Sequence, residues 1–276
     1  MTTPFLKMHG LGNDFVVFDA RRQPLALSDS TIRALSDRHT GVGCDQLIVI
    51  APPRSADSDA FMLIFNADGS EVGACGNATR CVGARLLEES GRAAVVIETR
   101  AGLLRASAES SGLVAVDMGP ARVDWAEIPL AGPADTLHLD LTCGELSDPV
   151  AVSMGNPHVV FLVEDAESVA LDRLGSQIEH HALFPERTNV EVVQVLAPDR
   201  LRMRVWERGA GITQACGTGA CAALVAAARR GVAGRRAEVV LDGGVLAIAW
   251  REDGHVIMTG PAVRAFSGQL TLTDFG

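Results

Sequence analysis

The sequence predicts an α+β protein of two pseudo-symmetric domains, each a set of strands wrapped around one central helix. Three observations predict it. Segments of the first half return in order in the second; short β-branched runs fill both halves; and each half holds one helical stretch opened by a cysteine.

The repeat comes first. Met62-Leu-Ile-Phe-Asn66, followed by a Gly-rich stretch and Ala74-Cys75-Gly76-Asn77, returns 141 positions later. There it reads Met203-Arg-Val-Trp-Glu207 and Ala215-Cys216-Gly217-Thr218. Gly12–Phe18 returns as Gly155–Phe161, and Gln46–Ile50 as Asn189–Val193, both offset by 143. The period is domain-sized, so the chain is no solenoid of short repeats. Its 276 residues suit two domains of half that length.

In chain order, the first half has strand-like runs at Phe15–Phe18, Gln46–Ile50, Phe61–Phe65, Ala94–Glu98 and Val114–Met118. Between the third and fourth lies a helix after Cys75, with Ala78, Val82 and Leu86 at spacing four and Gly91 as its stop. The strand-like run ends at Gly119-Pro120, which sets domains at 1–118 and 119–262. The second half continues with runs at Val150–Ser153, Val159–Val163, Val190–Val195, Leu201–Trp206, Glu238–Leu241 and Val245–Trp250. Its helix follows Cys216, with Ala220, Leu224 and Ala228 on one face and Gly231 at its end. This helix is apolar nearly all round, so it is expected to be buried. The tail, 263–276, is expected to return to the first domain.

Composition narrows the function. Hydrophobic residues make up 47%, enough for real cores. The net charge of -10 argues against a nucleic-acid surface. Arg229-Arg230 and Arg235-Arg236 read as a solvated helix end and turn. No stretch reaches 18 apolar residues, and the N-terminus shows no basic-then-apolar leader, so neither a membrane span nor export is expected. Six cysteines without an export signal then imply free thiols in a reducing cytoplasm.

A cysteine at a helix start has chemical consequences. The first turn offers unpaired N–H groups and a positive dipole end. A thiol there is expected to have a lowered pKa, and a carboxylate can be held by the N–H groups. Gly76 and Gly217, beside the thiols, let a ligand approach the backbone closely. Two such starts facing one ligand would put a sulfur on each face of a carbon next to its carboxylate. That suits removal of a proton from one face and its return to the other, with the thiols exchanging acid and base roles.

Other chemistries fit less well. Cys44, Cys81, Cys143 and Cys221 read as small apolar residues. The Cys75/Cys81 and Cys216/Cys221 spacings differ from each other and from structural zinc sites, so no metal is expected. His180-His181 reads as a solvated loop. Gly10-Leu-Gly12 and Gly41-Val-Gly43 lack the third glycine of a dinucleotide fingerprint, and no phosphate loop is present. Lys7, the one lysine, lies in a strand-like stretch and makes a poor Schiff-base residue, so no cofactor is expected.

Eight segments in order extend the reading across nearly the whole chain. They are Gly10–Phe15, Gly41–Gln46, Phe65–Ser70, Ala74–Asn77, Gly155–His158, Arg187–Asn189, Glu207–Gly209 and Ala215–Ala220. By these the chain resembles diaminopimelate epimerase, the cofactor-independent isomerase of lysine and peptidoglycan-precursor biosynthesis. The resemblance implies that each domain is a mostly antiparallel, barrel-like sheet around its helix, with the last strand crossing back. It implies Cys75 and Cys216 as the catalytic thiols, and His158 and Glu207 as groups tuning their pKa values. It implies substrate contacts from Asn13, Gln46, Asn66, Gly76, Asn77, Asn156, Asn189, Glu207, Arg208, Gly217 and Thr218. It also implies a homodimer. Arg208 offers a planar fork for a distal carboxylate, and the amides suit an ammonium beside a carboxylate. The residues flanking the cysteines, Gly73-Ala74, Ala78-Thr79 and Ile212-Thr213-Gln214, depart from the family's usual pattern.

Two further readings stay open from sequence. One is a sister racemase of the same architecture, acting on proline or hydroxyproline, or an isomerase lacking the thiol pair. The other is a non-catalytic thiol protein, metal-binding or redox-sensing, whose two cysteines join as a disulfide.

Overall fold

The computed structural model describes residues 2–275. Met1 and Gly276, the outer ends of the expected domain segments, lie outside the described residues. The chain divides into two compact units, Met1–Val116 with Gly260–Gly276, and Asp117–Thr259.

The first unit begins with β1 (Thr2–Gly10), β2 (Asn13–Asp19), α1 (Asp29–Ser36), β3 (Gln46–Ala51) and β4 (Ala60–Asn66). It continues with β5 (Glu71–Val72), α2 (Gly76–Ser90), β6 (Ala94–Thr99) and β7 (Gly102–Ala108), before β8 (Val114–Pro120). The second unit holds β9 (Thr142–Cys143), β10 (Leu146–Ser147), β11 (Val150–Ser153), β12 (Pro157–Val163), α3 (Leu171–Glu179), β13 (Asn189–Ala197) and β14 (Arg200–Glu207). Then come β15 (Gly211–Ile212), α4 (Gly217–Arg229), β16 (Arg236–Leu241), β17 (Gly244–Trp250) and β18 (His255–Gly260). The last strand is β19 (Val263–Thr271), which pairs antiparallel with β1.

Both units use one pairing scheme. In the first, β1/β2, β3/β4, β4/β5 and β6/β7 are antiparallel, while β2/β3 and β4/β6 are parallel. In the second, β11/β12, β13/β14, β14/β15 and β16/β17 are antiparallel, while β12/β13 and β14/β16 are parallel. Among these pairings of the described residues most are antiparallel, and two in each unit are parallel. β3 is apolar along its centre because Leu47, Ile48, Val49 and Ile50 are all buried, as expected where both sheet faces are covered.

Each unit's long helix lies against its sheet. α2 packs on β1, β6 and β7, and its Ala78, Cys81, Val82 and Leu86 are buried. Its C-terminus stops at Gly91, whose φ of 64° is left-handed and lets its N–H reach Leu87 O. α4 touches β11, β12, β13, β14, β16 and β17, and every residue from Gly219 to Ala227 is buried. Its alanines let six strands approach one helix closely. Leu224 and Val225, fully buried, each stabilise the unit by about 1.5–3 kcal/mol.

Several features depart from the sequence expectation. Both short helices, α1 and α3, and the strands β7 and β18 went unread. α1 starts on a Ser28 cap that accepts from Thr31 N at 3.1 Å. Arg229 and Arg230 are partly buried rather than simply solvated. Arg229 donates to Ala151 O and Thr136 Oγ1, and Arg230 to Leu137 O and Asp148, tying the end of α4 to the segment before β11. Cys143 is half-exposed rather than buried, with its thiol 3.7 Å from Gln177 Oε1.

Candidate active site

In the first unit, Cys75 caps the N-terminus of α2 with extended backbone, so the helix begins at Gly76. A turn at Gly12, φ 88°, delivers Asn13 to the head of β2. Asn13 Nδ2 donates to Asp45 Oδ2 at 3.0 Å. Its Oδ1 then faces the helix start, accepting from Asn77 Nδ2 at 3.1 Å and lying 4.0 Å from Cys75 Sγ. Gln46 and Asn66 stand opposite each other on β3 and β4, with Gln46 Nε2 donating to Asn66 Oδ1 at 3.0 Å. Gln46 Oε1 is buried without a hydrogen-bond partner, which leaves an acceptor for a ligand's N–H.

Behind Asn13 lies a charged knot. Asp14 binds Lys7 at 2.6 Å and Arg38 at 2.7 Å, and accepts from Asp45 N. Burial would raise the Asp14 pKa, but bonds from Arg38, Lys7 and the Asp45 N–H outweigh it and bring the carboxyl down to about 2. Lys7 is thus engaged as a structural counter-ion.

In the second unit, Cys216 caps α4, and its sulfur accepts from Gly219 N at 3.4 Å. Thr218 Oγ1 lies 3.5 Å from the same sulfur and accepts from Asn156 Nδ2 at 3.3 Å. Asn156 Oδ1 is 3.1 Å from His158 Nε2, and His158 Nδ1 is 2.7 Å from Glu191 Oε1. Glu207, at the end of β14, accepts from Thr213 Oγ1 and from the Cys216 thiol. Asn189 has both ends of its amide on backbone: it donates to Pro157 O and accepts from Arg208 N. The Arg208 guanidinium is exposed and donates to Glu186 O at 2.9 Å.

The lowered thiol pKa expected at a helix start is not what the second unit shows. Burial pushes the Cys216 thiol up, and the carboxylates of Glu207 and Glu191 push it further. The Thr218 hydroxyl and Gly219 N–H oppose this only in part. Burial also raises Glu207, against bonds from Thr213 and Cys216. A thiol in these surroundings holds its proton more firmly than a free cysteine does. Two neighbours of the site escaped the sequence reading, Glu191 and Asp45. A signal for Glu191 was available: it is a charge within the apolar run Asn189–Val193, where the first half has Ile48.

Among the described residues, no group of three or more His, Cys, Asp or Glu side chains could hold a metal ion, and no helix is long and apolar enough to cross a membrane.

A cysteine capping the central helix of each of two like units, with amides near both and a His–Glu pair on the side of the second, fits the class of isomerases with the epimerase and racemase fold. Solved structures share that fold. A hydroxyproline epimerase from Agrobacterium vitis aligns at TM-score 0.70 and 17% identity, over 98% of this chain and 91% of that one. A PhzF-family phenazine biosynthesis protein from Bacillus anthracis aligns at TM-score 0.66 and 17% identity, over 98% and 99%. Residues 5–123 and 150–265 match the family model described as diaminopimelate epimerase. Curated relatives of that name include those of Rhodospirillum centenum, 62% identical over 99% of this chain and 94% of theirs, and Acidiphilium cryptum, 56% identical over 97% and 96%. The chain belongs to the diaminopimelate epimerase family.

Proposed function

We propose that the protein interconverts LL- and meso-diaminopimelate, with Cys75 and Cys216 as the acid/base pair. What carries the reading is a cysteine at the cap of the central helix in both units of a chain that belongs to this family. One thiolate takes the α-proton from one face and the other thiol returns a proton to the opposite face. The barrier to overcome is the mismatch between a thiol of pKa about 8.5 and a far weaker carbon acid. Each ten units of mismatch amount to about 14 kcal/mol. Backbone N–H groups at Gly76-Asn77 and Gly217-Thr218 would stabilise the carboxylate as negative charge develops on it. Asn13, Gln46, Asn66, Asn156 and Arg208 would hold the ammonium and distal carboxylate, while Glu207 and His158 set the state of Cys216.

The duplicated halves, 1–118 with the returning segment 263–276, and 119–262, serve as the two domains in this reading. The protein acts in the cytoplasm as a homodimer; light scattering on the eluted protein should give twice the chain mass, and a monomer mass would refute the dimer.

The test of the reaction is incubation with LL-diaminopimelate in deuterated water, with thiols reduced and no added cofactor. Early product should carry deuterium at the α-carbon while recovered substrate does not. No exchange and no product would sink the epimerase reading.

A further inference from the structure

Within the second unit a row of polar side chains runs from a fully buried carboxylate to the Cys216 sulfur. Its direction can be read from the donors. Asn156 Nδ2 donates to Thr218 Oγ1, so the other end of that amide, Oδ1, faces His158 Nε2 at 3.1 Å. A carbonyl oxygen only accepts, so Nε2 must carry a proton. Thr218, having accepted from Asn156, has its own O–H to direct at Cys216 Sγ, 3.5 Å away. Each bond in the row thus donates toward the sulfur.

At the other end, His158 Nδ1 lies 2.7 Å from Glu191 Oε1, and both side chains are wholly buried. Glu191 Oε2 has no hydrogen-bond partner. A buried carboxylate satisfied on one oxygen is costly as a bare charge, so a second proton belongs between Nδ1 and Oε1.

A comparison of the halves supports a dedicated role. Glu191 stands where the first half has Ile48, and Gly219 where it has Ala78. The two changes are complementary, because a Cβ at Gly219 would lie 2.8 Å from Glu191 Oε1. The glycine makes room for the carboxylate beside the first turn of α4.

We propose that Glu191 is a positioning residue for the second thiol, locking the His158 ring so that its Nε2–H starts a one-way hydrogen-bond row through Asn156 and Thr218 to Cys216. When Cys216 gives up its proton, the row presents a fixed donor to the thiolate. This role rests on the reading of Cys216 as a reacting thiol.

The experiment has two arms. The first uses imidazole 15N spectra of the wild-type protein without substrate, with His158 assigned by its loss in His158→Gln. A proton on Nε2 in a single ring state at pH 7.5 is expected; Nε2 without a proton overturns the proposal whether or not the protein is an epimerase. The second compares Glu191→Leu with Glu191→Gln. Leucine fills the volume without a bond to Nδ1, so the ring should sample both tautomers. Its kcat should fall ~10–100-fold, as for lost supporting partners of reactive groups, with KM within about twofold and a lower Tm, because His158 Nδ1 is left buried without a partner. Glutamine can donate to Nδ1 and keep the proton on Nε2, so it should recover most of the kcat. A Glu191→Leu protein with wild-type kcat would show that the carboxylate serves packing alone. If Glu191→Leu fails to fold, the wild-type spectra still decide.

Discussion

Cys75 and Cys216 occupy matching positions, yet their surroundings differ in chemistry. Cys75 faces an amide oxygen, Asn13 Oδ1, whose orientation is fixed because Asp45 takes the amide nitrogen. Cys216 faces the carboxyl of Glu207 and receives bonds along α4. Removing the Glu207 charge should therefore lower the Cys216 pKa. In Glu207→Gln, the alkylation of Cys216 by iodoacetamide at pH 8, followed by peptide mapping, should be faster, by about three- to fourfold for each full unit of pKa, because a less basic thiolate is also a weaker nucleophile. An unchanged or slower rate would show that the carboxylate does not govern the thiol. Cys75→Ser and Cys216→Ser should each cost ~10²–10⁴ in kcat, the usual scale of acid/base catalysis, and Cys143→Ser should cost nothing measurable in the same assay. The identity of the two cysteines was legible in the sequence because a repeat marks equivalent positions. The direction of the Cys216 shift was not, because burial and the approach of Glu191 from β13 arise only when the strands pack on α4.

Among the elements, α3 shows what a short helix can do for a site it does not belong to. Its buried Glu179 accepts from Trp206 Nε1 at 2.7 Å and from Gly209 N at 2.9 Å, clamping both sides of Glu207-Arg208. The Trp206 ring lies directly over Gly175, where a Cβ would come within 2.5 Å of it. Gly175→Ala should lower stability by about 1–3 kcal/mol through that clash, although alanine favours a helix by ~1 kcal/mol. The Glu207-Arg208 turn should shift with the ring, so KM for diaminopimelate should rise. Gly83→Ala, whose Cβ would meet Ala106 Cβ at 2.6 Å, should cost similar stability. It acts on α2 and β7, away from that turn, and should leave KM unchanged. Urea melts and initial rates on the two variants check both statements; equal KM changes would separate the α3 clamp from substrate binding. The signal for α3 was present in Leu171, Leu174 and Ile178, all buried on one face. Gly175 and the pair His180-His181 masked it as a loop. α2 and α4 were legible because their apolar positions recur at spacing four over about two turns and a glycine follows each helix.

For the molecule as a whole, buried titratable groups set the pH range of stability at both ends. At the acid end the group is Asp14, brought from 3.8 to about 2 when its bonds to Arg38, Lys7 and Asp45 N outweigh burial. A carboxyl depressed in the folded state adds stability above its unfolded pKa and loses it as pH falls through the folded value. The Asp14 contribution, about 2 kcal/mol at 1.36 per unit, should thus be complete by about pH 5 and gone near pH 2. At the alkaline end burial raises Cys44 and Cys216, and carries Cys81 up to about 12. A thiol raised in the folded state gives stability that is intact below its unfolded pKa, ~9, and is lost as pH climbs through the folded value. Unfolding free energies from urea melts should therefore form a plateau between about pH 5 and 9 and fall on either side. Asp14→Asn should lower the plateau by roughly 2 kcal/mol and flatten the acid limb between pH 4 and 2. Cys81→Ala should leave the acid limb untouched and make the alkaline limb shallower, at the cost of a small cavity beneath α2. An acid limb of unchanged slope in Asp14→Asn would mean that other carboxylates, such as Asp19 beneath Arg21, dominate acid unfolding. An unchanged alkaline limb in Cys81→Ala would move that role to Cys44 and Cys216. The loss would then begin near the unfolded thiol pKa, ~9, and continue as pH rises toward the higher value at which the folded Cys216 thiol ionises.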